Sequence, residues 1–576
     1  MSKNLNSILI LSGTGTGKTW MAGGILRRFA DLSYEQGKTM SHIPYLYVTK
    51  ASIVAQTKRV LERDFSLDLE TVTVINIEQL RSIAGKFWLK REVMVVNGEE
   101  QEKWSWKRNL QPAVIVWDEC QALKNQGSLQ HQIACALNDM PRPFQPKQVF
   151  VSATPFTKVS EAKCFAVSTH KSLKFICGKR SGFDENAILT NETWPQYAKV
   201  IAGEGAPDDY NESAVERLMD DLSEYVVRVK GVRPQFEADN KVQMIDFQTP
   251  EERAYYEEAW ERYIKEKAKL EAQQMAGISV GMALLVRFLK FRMAAEYIRH
   301  KYLVERMMQI TSEGKAAVCA LSFKTTIIQM ILEFEKRGVT RDQISIIWGG
   351  GQTQLTDKQK AKAKIMALKD HVLKAQGITR EELLENLELE EVEEREILEL
   401  PEHLRLGMQS LEERQREIDK FQTGKTLYCI YTLKAGGVGL SLHHTDEVFP
   451  PEQRCRRKES GYVFEEDIPK IPTRPREVLV TPTWSPMELV QGVGRAPRLT
   501  SLSVTKQWLV FYKGTIEGRV AEIAGKGLRC LSKIVKHIEP WAGMIVGGRT
   551  EEIEKYKQTL PEDSEQDGLV DEGGEE

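Results

Sequence analysis

Several absences narrow this sequence before any motif is read. No apolar run approaches the roughly 20 residues needed to span a bilayer, and the opening MSKNLNSILILSGTG has no basic region ahead of an export core. Membrane insertion and secretion are therefore not expected; the chain reads as soluble and intracellular, in a bacterial cytoplasm or a nucleus. Cysteine is sparse: eight residues stand singly at positions 120, 135, 164, 177, 319, 429, 455 and 530, with no CxxC pair and no accompanying histidine spacing for zinc. They read as ordinary reduced cysteines. Excess charge is lacking too, the formal net charge being -2, so any contact with nucleic acid has to come from local basic patches. What is present is length: 576 residues, enough at about 100 to 200 per domain for two to four domains.

The first positive signal lies near the start. Ile8 to Leu11 form an apolar strand, SGTGTGKT (12–19) follows, and Met21, Ile25, Leu26 and Phe29 recur at helical spacing. Strand, glycine loop and helix in that order make a phosphate cradle. The backbone of Ser12, Gly13, Thr14, Gly15, Thr16 and Gly17 converges on a nucleotide, Lys18 reaches its β and γ phosphates, and the Thr19 hydroxyl holds Mg²⁺. Ser12 stands where the usual pattern has its first glycine.

AVIVWDECQ (113–121) is a second apolar strand, ending in Asp118 and Glu119. Alone, it is a strand end meeting solvent. About 100 positions after Lys18, it fits the two acids that a phosphate loop needs, Asp118 for Mg²⁺ and Glu119 to orient or deprotonate the attacking water. QVFVSATPF (148–156) is a third such strand, ending in Ser152, Ala153 and Thr154.

In this order the three motifs resemble motifs I, II and III of the superfamily 2 helicases and translocases. YLYVTKASIVAQT (45–57) and VTVINIEQLRS (72–82) sit where that family's DNA-contacting strand motifs fall. The resemblance demands a second RecA-like lobe bearing arginines. AAVCALSFKTTIIQMILEFEKRG (316–338) is similar to the motif IV region, TLYCIYTLKAGGVGLSL (426–442) to motif V, and QGVGRAPR (491–498) to motif VI. By itself QGVGRAPR is a solvated basic face, with Gln491, Arg495 and Arg498 on one side of a helix if the stretch is helical. The resemblance implies instead that these residues reach across a cleft to the γ phosphate, Arg498 as the main arginine finger and Arg495 assisting, a device worth about 10³ to 10⁵ in rate. It also implies that Gln121, Ser152, Thr154, Gly437 and Gly439 couple the nucleotide site to a nucleic-acid groove.

Further segments point to a branch. YVVRVKGVRPQFEADNKVQMIDFQTPEERAYYEE (225–258), LEERQREIDKFQTGK (411–425) and KGTIEGRVAEIAGKGLRCLSKIV (513–535) resemble the post-lobe junction, the pre-motif V segment and the brace helix of chromatin-remodeller-like (Snf-type) ATPases. GLSLHH (439–444) and RPREVLVTPTWSPMELVQGVGR (474–495) resemble strawberry notch type helicases. The resemblance covers residues 7 to about 535. It departs from the family in three places: eleven residues precede Ser12, leaving no room for the upstream glutamine motif that reads adenine; Ser441 replaces an asparagine; and a charged insertion occupies about 353–409.

The expected architecture is α/β, two tandem RecA-like domains with parallel sheets flanked by helices, plus a helical linker and insertions. Lobe 1 takes 1–235, the linker 236–310, lobe 2 311–540, and an acidic tail 541–576 is expected to be disordered. The expected function is an ATP-dependent motor, with ATP and Mg²⁺ as cofactors, moving along double-stranded DNA. A strand-separating helicase on DNA or RNA is the alternative within the class, and a nucleotide-regulated nucleic-acid-binding scaffold the alternative outside it. DNA is favoured over RNA as partner, through sequence-independent backbone contacts. A protein partner on the acidic insertion or tail is a further option. RFLKFRMAAEYIRHKYLVER (287–306) either tracks phosphates or packs its aromatic side, packing being preferred. The hairpin-like KFWLKREVMVVNGEEQEKWSWKRN (86–109) either stacks bases on exposed Trp104 and Trp106 or covers a sheet edge.

Overall fold

The structure, a computed structural model, describes residues 5–12, 17–35, 45–81, 88–96, 99–107, 112–174, 186–229, 236, 238–275, 281–348, 409–433, 442–445, 457–458, 461–462, 474–498 and 501–535. The expectations for Gly13, Thr14, Gly15, Thr16, Gly437, Gly439, Ser441, the Asn97-Gly98 turn, the insertion apart from Gln409, and the tail fall outside the described residues. Two compact units emerge. One takes the described residues of Met1–Val232 and Gly525–Gly543, the other those of Arg233–Ala524.

Unit one is built on mostly apolar strands, the central ones buried along their length as in parallel sheets covered on both faces. They are β1 (Ser7–Leu11), β2 (Tyr45–Thr49), β3 (Val72–Asn76), β6 (Val114–Asp118), β7 (Lys147–Ser152) and the short β8 (Val226–Arg228), with the antiparallel hairpin β4 (Leu89–Val96) and β5 (Glu99–Trp106) between β3 and β6. The sheet runs β3-β2-β6-β7-β1-β8, every pairing parallel. Parallel neighbours need crossovers. These are supplied by α1 (Lys18–Glu35), α2 (Val54–Phe65), α3 (Leu129–Ala136), α4 (Lys163–Ser168), α5 (Trp194–Ala202) and α6 (Glu212–Asp221). The hairpin corrects one expectation. Trp106 is not exposed but buried, and its indole N–H donates to the Ile133 carbonyl on α3 (2.9 Å), while Trp104 is half-buried.

Unit two repeats the scheme. Its strands are β9 (Asp239–Ile245), β10 (Ala316–Leu321), β11 (Ile344–Ile347), β12 (Tyr428–Thr432), β15 (Arg476–Val480) and β16 (Lys506–Tyr512), with a two-residue pair β13 (Arg457–Lys458) and β14 (Gly461–Tyr462) outside the main sheet. The order is β11-β12-β10-β15-β16-β9, again all parallel. Its helices are α7 (Pro250–Met275), α8 (Gly281–Tyr297), α9 (His300–Ser312), α10 (Lys324–Lys336), α11 (Leu411–Gln422), α12 (Pro486–Val493) and the start of α13 (Ile516–Ile534), whose residues from Gly525 belong to unit one. Two parallel six-stranded sheets flanked by helices are tandem RecA-like α/β domains.

The segment 236–310, expected as a separate linker, folds with this unit: β9 pairs with β16, and Tyr256, Phe291, Leu303 and Met307 join one core with Cys319, Ile331 and Val510. The basic and aromatic stretch 287–306 belongs to that packing. Phe291 stacks on Tyr263, and fully buried Arg299 grips both carboxylate oxygens of Glu517 (2.6 Å each) and donates to the Val510 carbonyl (2.8 Å). Arg306 pairs with Glu477 (2.7 Å) and Arg292 donates to the Pro482 carbonyl. These guanidinium groups are engaged inside the unit, which replaces phosphate tracking as their account. Among the described residues no helix is long and apolar enough to cross a membrane.

Candidate functional site

Strand order decides which side chains meet in unit one. β7 lies between β1 and β6, so the carboxyl ends of the three strands gather Ser12, Ser152 and the Asp118-Glu119 pair at one edge of the sheet, where open α/β sheets bind ligands. The Ser12 N–H donates to the Ser152 carbonyl (3.3 Å). Gly17 has φ of +78°, a left-handed conformation that glycine adopts without penalty, and α1 starts at the next residue. Lys18 therefore stands at a helix amino terminus, with its Nζ 3.9 Å from Glu119 Oε1.

Asp118 is held from three sides. Tyr47 and Thr49, both on β2, donate to its Oδ2 (3.1 Å each), and the Glu119 N–H donates to its Oδ1 (3.0 Å). Tyr47 also hydrogen-bonds the Thr19 side chain, which links the glycine-loop threonine to the acid of β6. Burial, with Glu119 alongside, pushes the Asp118 pKa up to about 6 against the pull of Lys18. The Tyr47 phenol is driven well above its ordinary range by burial and by Asp118. Thr19, Asp118 and Glu119 offer oxygen donors only, the set that a hard divalent cation such as Mg²⁺ takes, and a cation there lowers the cost of two adjacent carboxylates.

Glu119 is strained. Its φ of 55° and ψ of 48° put a non-glycine residue in the left-handed region, which is uncommon and gathers at functional positions. From it runs a chain of bonds. The Gln121 amide donates to the Glu119 carboxylate, the Gln121 carbonyl accepts from Ser152 Oγ (2.6 Å), and the Thr154 N–H donates to Ser152 Oγ (2.9 Å). Three residues, Gln121, Ser152 and Thr154, are thus wired to one carboxylate.

In unit two α12 carries Gln491 but ends at Val493, with Gly494 as its cap, so Gln491, Arg495 and Arg498 do not share a helical face. The reason is local. Pro497 cannot continue a helix and disfavours helical backbone at Ala496. The turn is pinned instead by Leu442 N–H donating to the Arg495 carbonyl (2.9 Å) and by Arg498 N–H donating to Ser501 Oγ (2.9 Å). Gly492 packs closely: an added Cβ would lie 2.4 Å from Leu433 Cδ2 and force that side chain to shift, and the Gly492 carbonyl accepts from Tyr431 OH on β12 (2.7 Å). The two guanidinium groups are neighbours. Burial and then Arg495 lower the Arg498 pKa to about 9, and burial followed by Arg498 lowers His443 to about 4.

Ser12, Gly17, Lys18, Thr19, Asp118, Glu119, Gln121, Ser152 and Thr154 are thus placed in unit one, and Gln491, Arg495 and Arg498 in unit two. Tyr47 and Thr49 were not anticipated. The strand run YLYVT (45–49) was assigned to DNA contact, whereas two of its side chains touch Asp118. Nor was the convergence of His131, Cys135 and Cys164, which corrects the reading of the cysteines as scattered. No family model and no curated protein matches the chain. Among solved structures, "Sulfolobus solfataricus SWI2/SNF2 ATPase core in complex with dsDNA" aligns with 89% of this chain and 85% of that chain, at 13% identity and a TM-score of 0.28, an overlap too loose to carry an argument about function.

Proposed function

We propose that the chain is an ATP-hydrolysing motor that moves along double-stranded DNA. The observation that supports this most is the single cluster of Lys18, Thr19, Asp118 and Glu119, bonded onward to Gln121, Ser152 and Thr154. Lys18 and the backbone of 12–17 bind phosphate, and Thr19 and Asp118 hold Mg²⁺, which when bound neutralises phosphate charge. Glu119 takes up or orients the proton of the attacking water. Gln491, Arg495 and Arg498 bind the γ phosphate. Movement of Glu119 as ATP is consumed is passed to Ser152 and Thr154 through Gln121, which couples hydrolysis to the nucleic acid.

The test is hydrolysis by the full chain with Mg-ATP alone and with single-stranded DNA, duplex DNA or RNA, together with triplex displacement. Duplex stimulation and displacement of a third strand without fork unwinding are expected. Unwinding without triplex displacement makes the chain a strand-separating helicase. Negligible hydrolysis in every arm leaves a nucleotide-regulated scaffold and overturns the motor.

A further inference from the structure

We propose that His131, Cys135 and Cys164 form a binding site for one thiophilic cation, zinc being the first to test. His131 and Cys135 lie one turn apart on α3, and α4 brings Cys164 to them. The three side chains are 2%, 6% and 4% exposed. Cys135 Sγ is 3.2 Å from Cys164 Sγ and 3.3 Å from His131 Nε2, and Cys164 Sγ is 3.2 Å from Nδ1.

The imidazole is already set for coordination. Its Nδ1 lies 2.7 Å from the Leu123 carbonyl oxygen. A carbonyl only accepts, so Nδ1 carries the proton and Nε2 presents its lone pair beside Cys135. Metal-binding histidines are oriented by this kind of bond.

Two alternatives fit less well. A disulfide needs about 2.05 Å between sulfurs and has no use for the ring. Buried thiols that serve only as small apolar groups have no reason to converge on a ring nitrogen. Sulfur and imidazole donors select zinc or copper(I), not Mg²⁺, so the site is chemically distinct from the oxygen cluster at Asp118. Cys135 Sγ is already beside both Nε2 and Cys164 Sγ, and the three donor atoms lie within 4.8 Å of one another, so zinc–ligand bonds of about 2.0 to 2.3 Å are within reach of side-chain rotation. On binding, each thiol gives its proton to solvent as its sulfur–metal bond forms, and neutral His131 adds its lone pair. Two thiolates and one divalent ion sum to zero charge, which suits a site this deeply buried.

The ion would be a clip. α3 follows the turn that holds Glu119 and Gln121, and α4 follows Ser152 and Thr154. Joining the two helices fixes the segments behind both ends of the Glu119–Thr154 bond chain, whether or not nucleotide is present.

The test uses the full chain, purified under reducing conditions. Bound zinc is counted, Co²⁺ is titrated with its sulfur-to-cobalt charge-transfer band as readout, and thermal unfolding is followed with and without a chelator. One ion per chain is expected, with a lower unfolding temperature in chelator. Cys135→Ser and Cys164→Ser should each weaken Co²⁺ binding by about tenfold or more and remove the chelator effect, whereas Cys319→Ala in unit two should change neither. If the serine variants fail to fold, the ¹¹³Cd NMR shift of the cadmium-loaded wild-type chain decides, two sulfurs and one nitrogen being expected. Folded wild-type protein that takes up no Co²⁺, a band unchanged in both serine variants, or a cadmium shift without sulfur ligation overturns the proposal.

Discussion

Two charged clusters among the described residues gather opposite signs, and they do so in different ways. In unit one Asp118 and Glu119 sit side by side, with Lys18 3.9 Å from Glu119 and the hydroxyls of Tyr47 and Thr49 fixed on Asp118. In unit two Arg495 and Arg498 are neighbours; burial first and then Arg495 lowers Arg498 to about 9, and burial first and then Arg498 lowers His443 to about 4. The acid cluster is organised by a neighbouring strand before any ligand arrives. The arginine cluster is held by the turn after α12, through the Leu442 N–H on the Arg495 carbonyl and the Arg498 N–H on Ser501 Oγ. A third case sets the contrast. Arg299 and Glu517 are as deeply buried as either, yet each has its counter-ion built in. Arg299 and Glu517 form a buried pair that supports the fold, whereas perturbed groups gathered at a strand end or a turn suit a functional site.

Substitutions can break that comparison at each point. Arg498→Ala should lower the steady-state hydrolysis rate by about 10³ to 10⁵ without lowering the stability of the fold; a denaturation midpoint that falls with the rate would make Arg498 structural. Arg299→Met should do the reverse, sparing hydrolysis but costing roughly 3 to 5 kcal/mol of stability because the Glu517 carboxyl, already raised to about 7 by burial, loses the charge that offsets it. Chemical denaturation measures it, and an unchanged midpoint would remove the built-in pair from the comparison.

Asp118→Asn should stabilise the metal-free protein at neutral pH by on the order of 3 kcal/mol. The sign follows from the pKa, raised from 3.8 to about 6. The folded state holds this proton more tightly than the unfolded state, so stability falls as pH rises from about 4 to 6 and stays reduced above. The gain should therefore be absent near pH 3.5 and complete near pH 7, and denaturation at both values checks it. The smallest effect is expected from Tyr47→Phe, which removes one hydrogen bond to Asp118, about 1 kcal/mol. It should appear as a several-fold higher Mg²⁺ concentration needed for hydrolysis, and no change would place Tyr47 outside the site.

Much of this was legible in the chain. β1, β6, β7, β10, β12 and β15 are unbroken apolar runs because both of their faces are covered, and the GKT and DE pairs stand at the ends where such sheets bind ligands. What escaped depends on neighbours distant in sequence. Tyr47 reaches Asp118 only because β2 lies beside β6, 71 residues away. Packing was the preferred reading of 287–306, but the partner of Arg299 was not legible because Glu517 is 218 residues on. His131 and Cys135 carry a readable helical spacing, but Cys164 joins them from beyond β7. The end of α12 is different, since Pro497 was in plain view and a helical face for all three of Gln491, Arg495 and Arg498 should not have been expected.

The central claim is that the Lys18–Asp118–Glu119 cluster is a hydrolytic nucleotide site. It is tested most directly by measuring ATP binding and single-turnover hydrolysis side by side in wild type and Glu119→Gln. Wild type should bind and hydrolyse, and Glu119→Gln should bind Mg-ATP with similar affinity while its hydrolysis falls by about 10² to 10⁴. A wild-type chain that binds no nucleotide, or a Glu119→Gln chain that hydrolyses at the wild-type rate, would contradict the account.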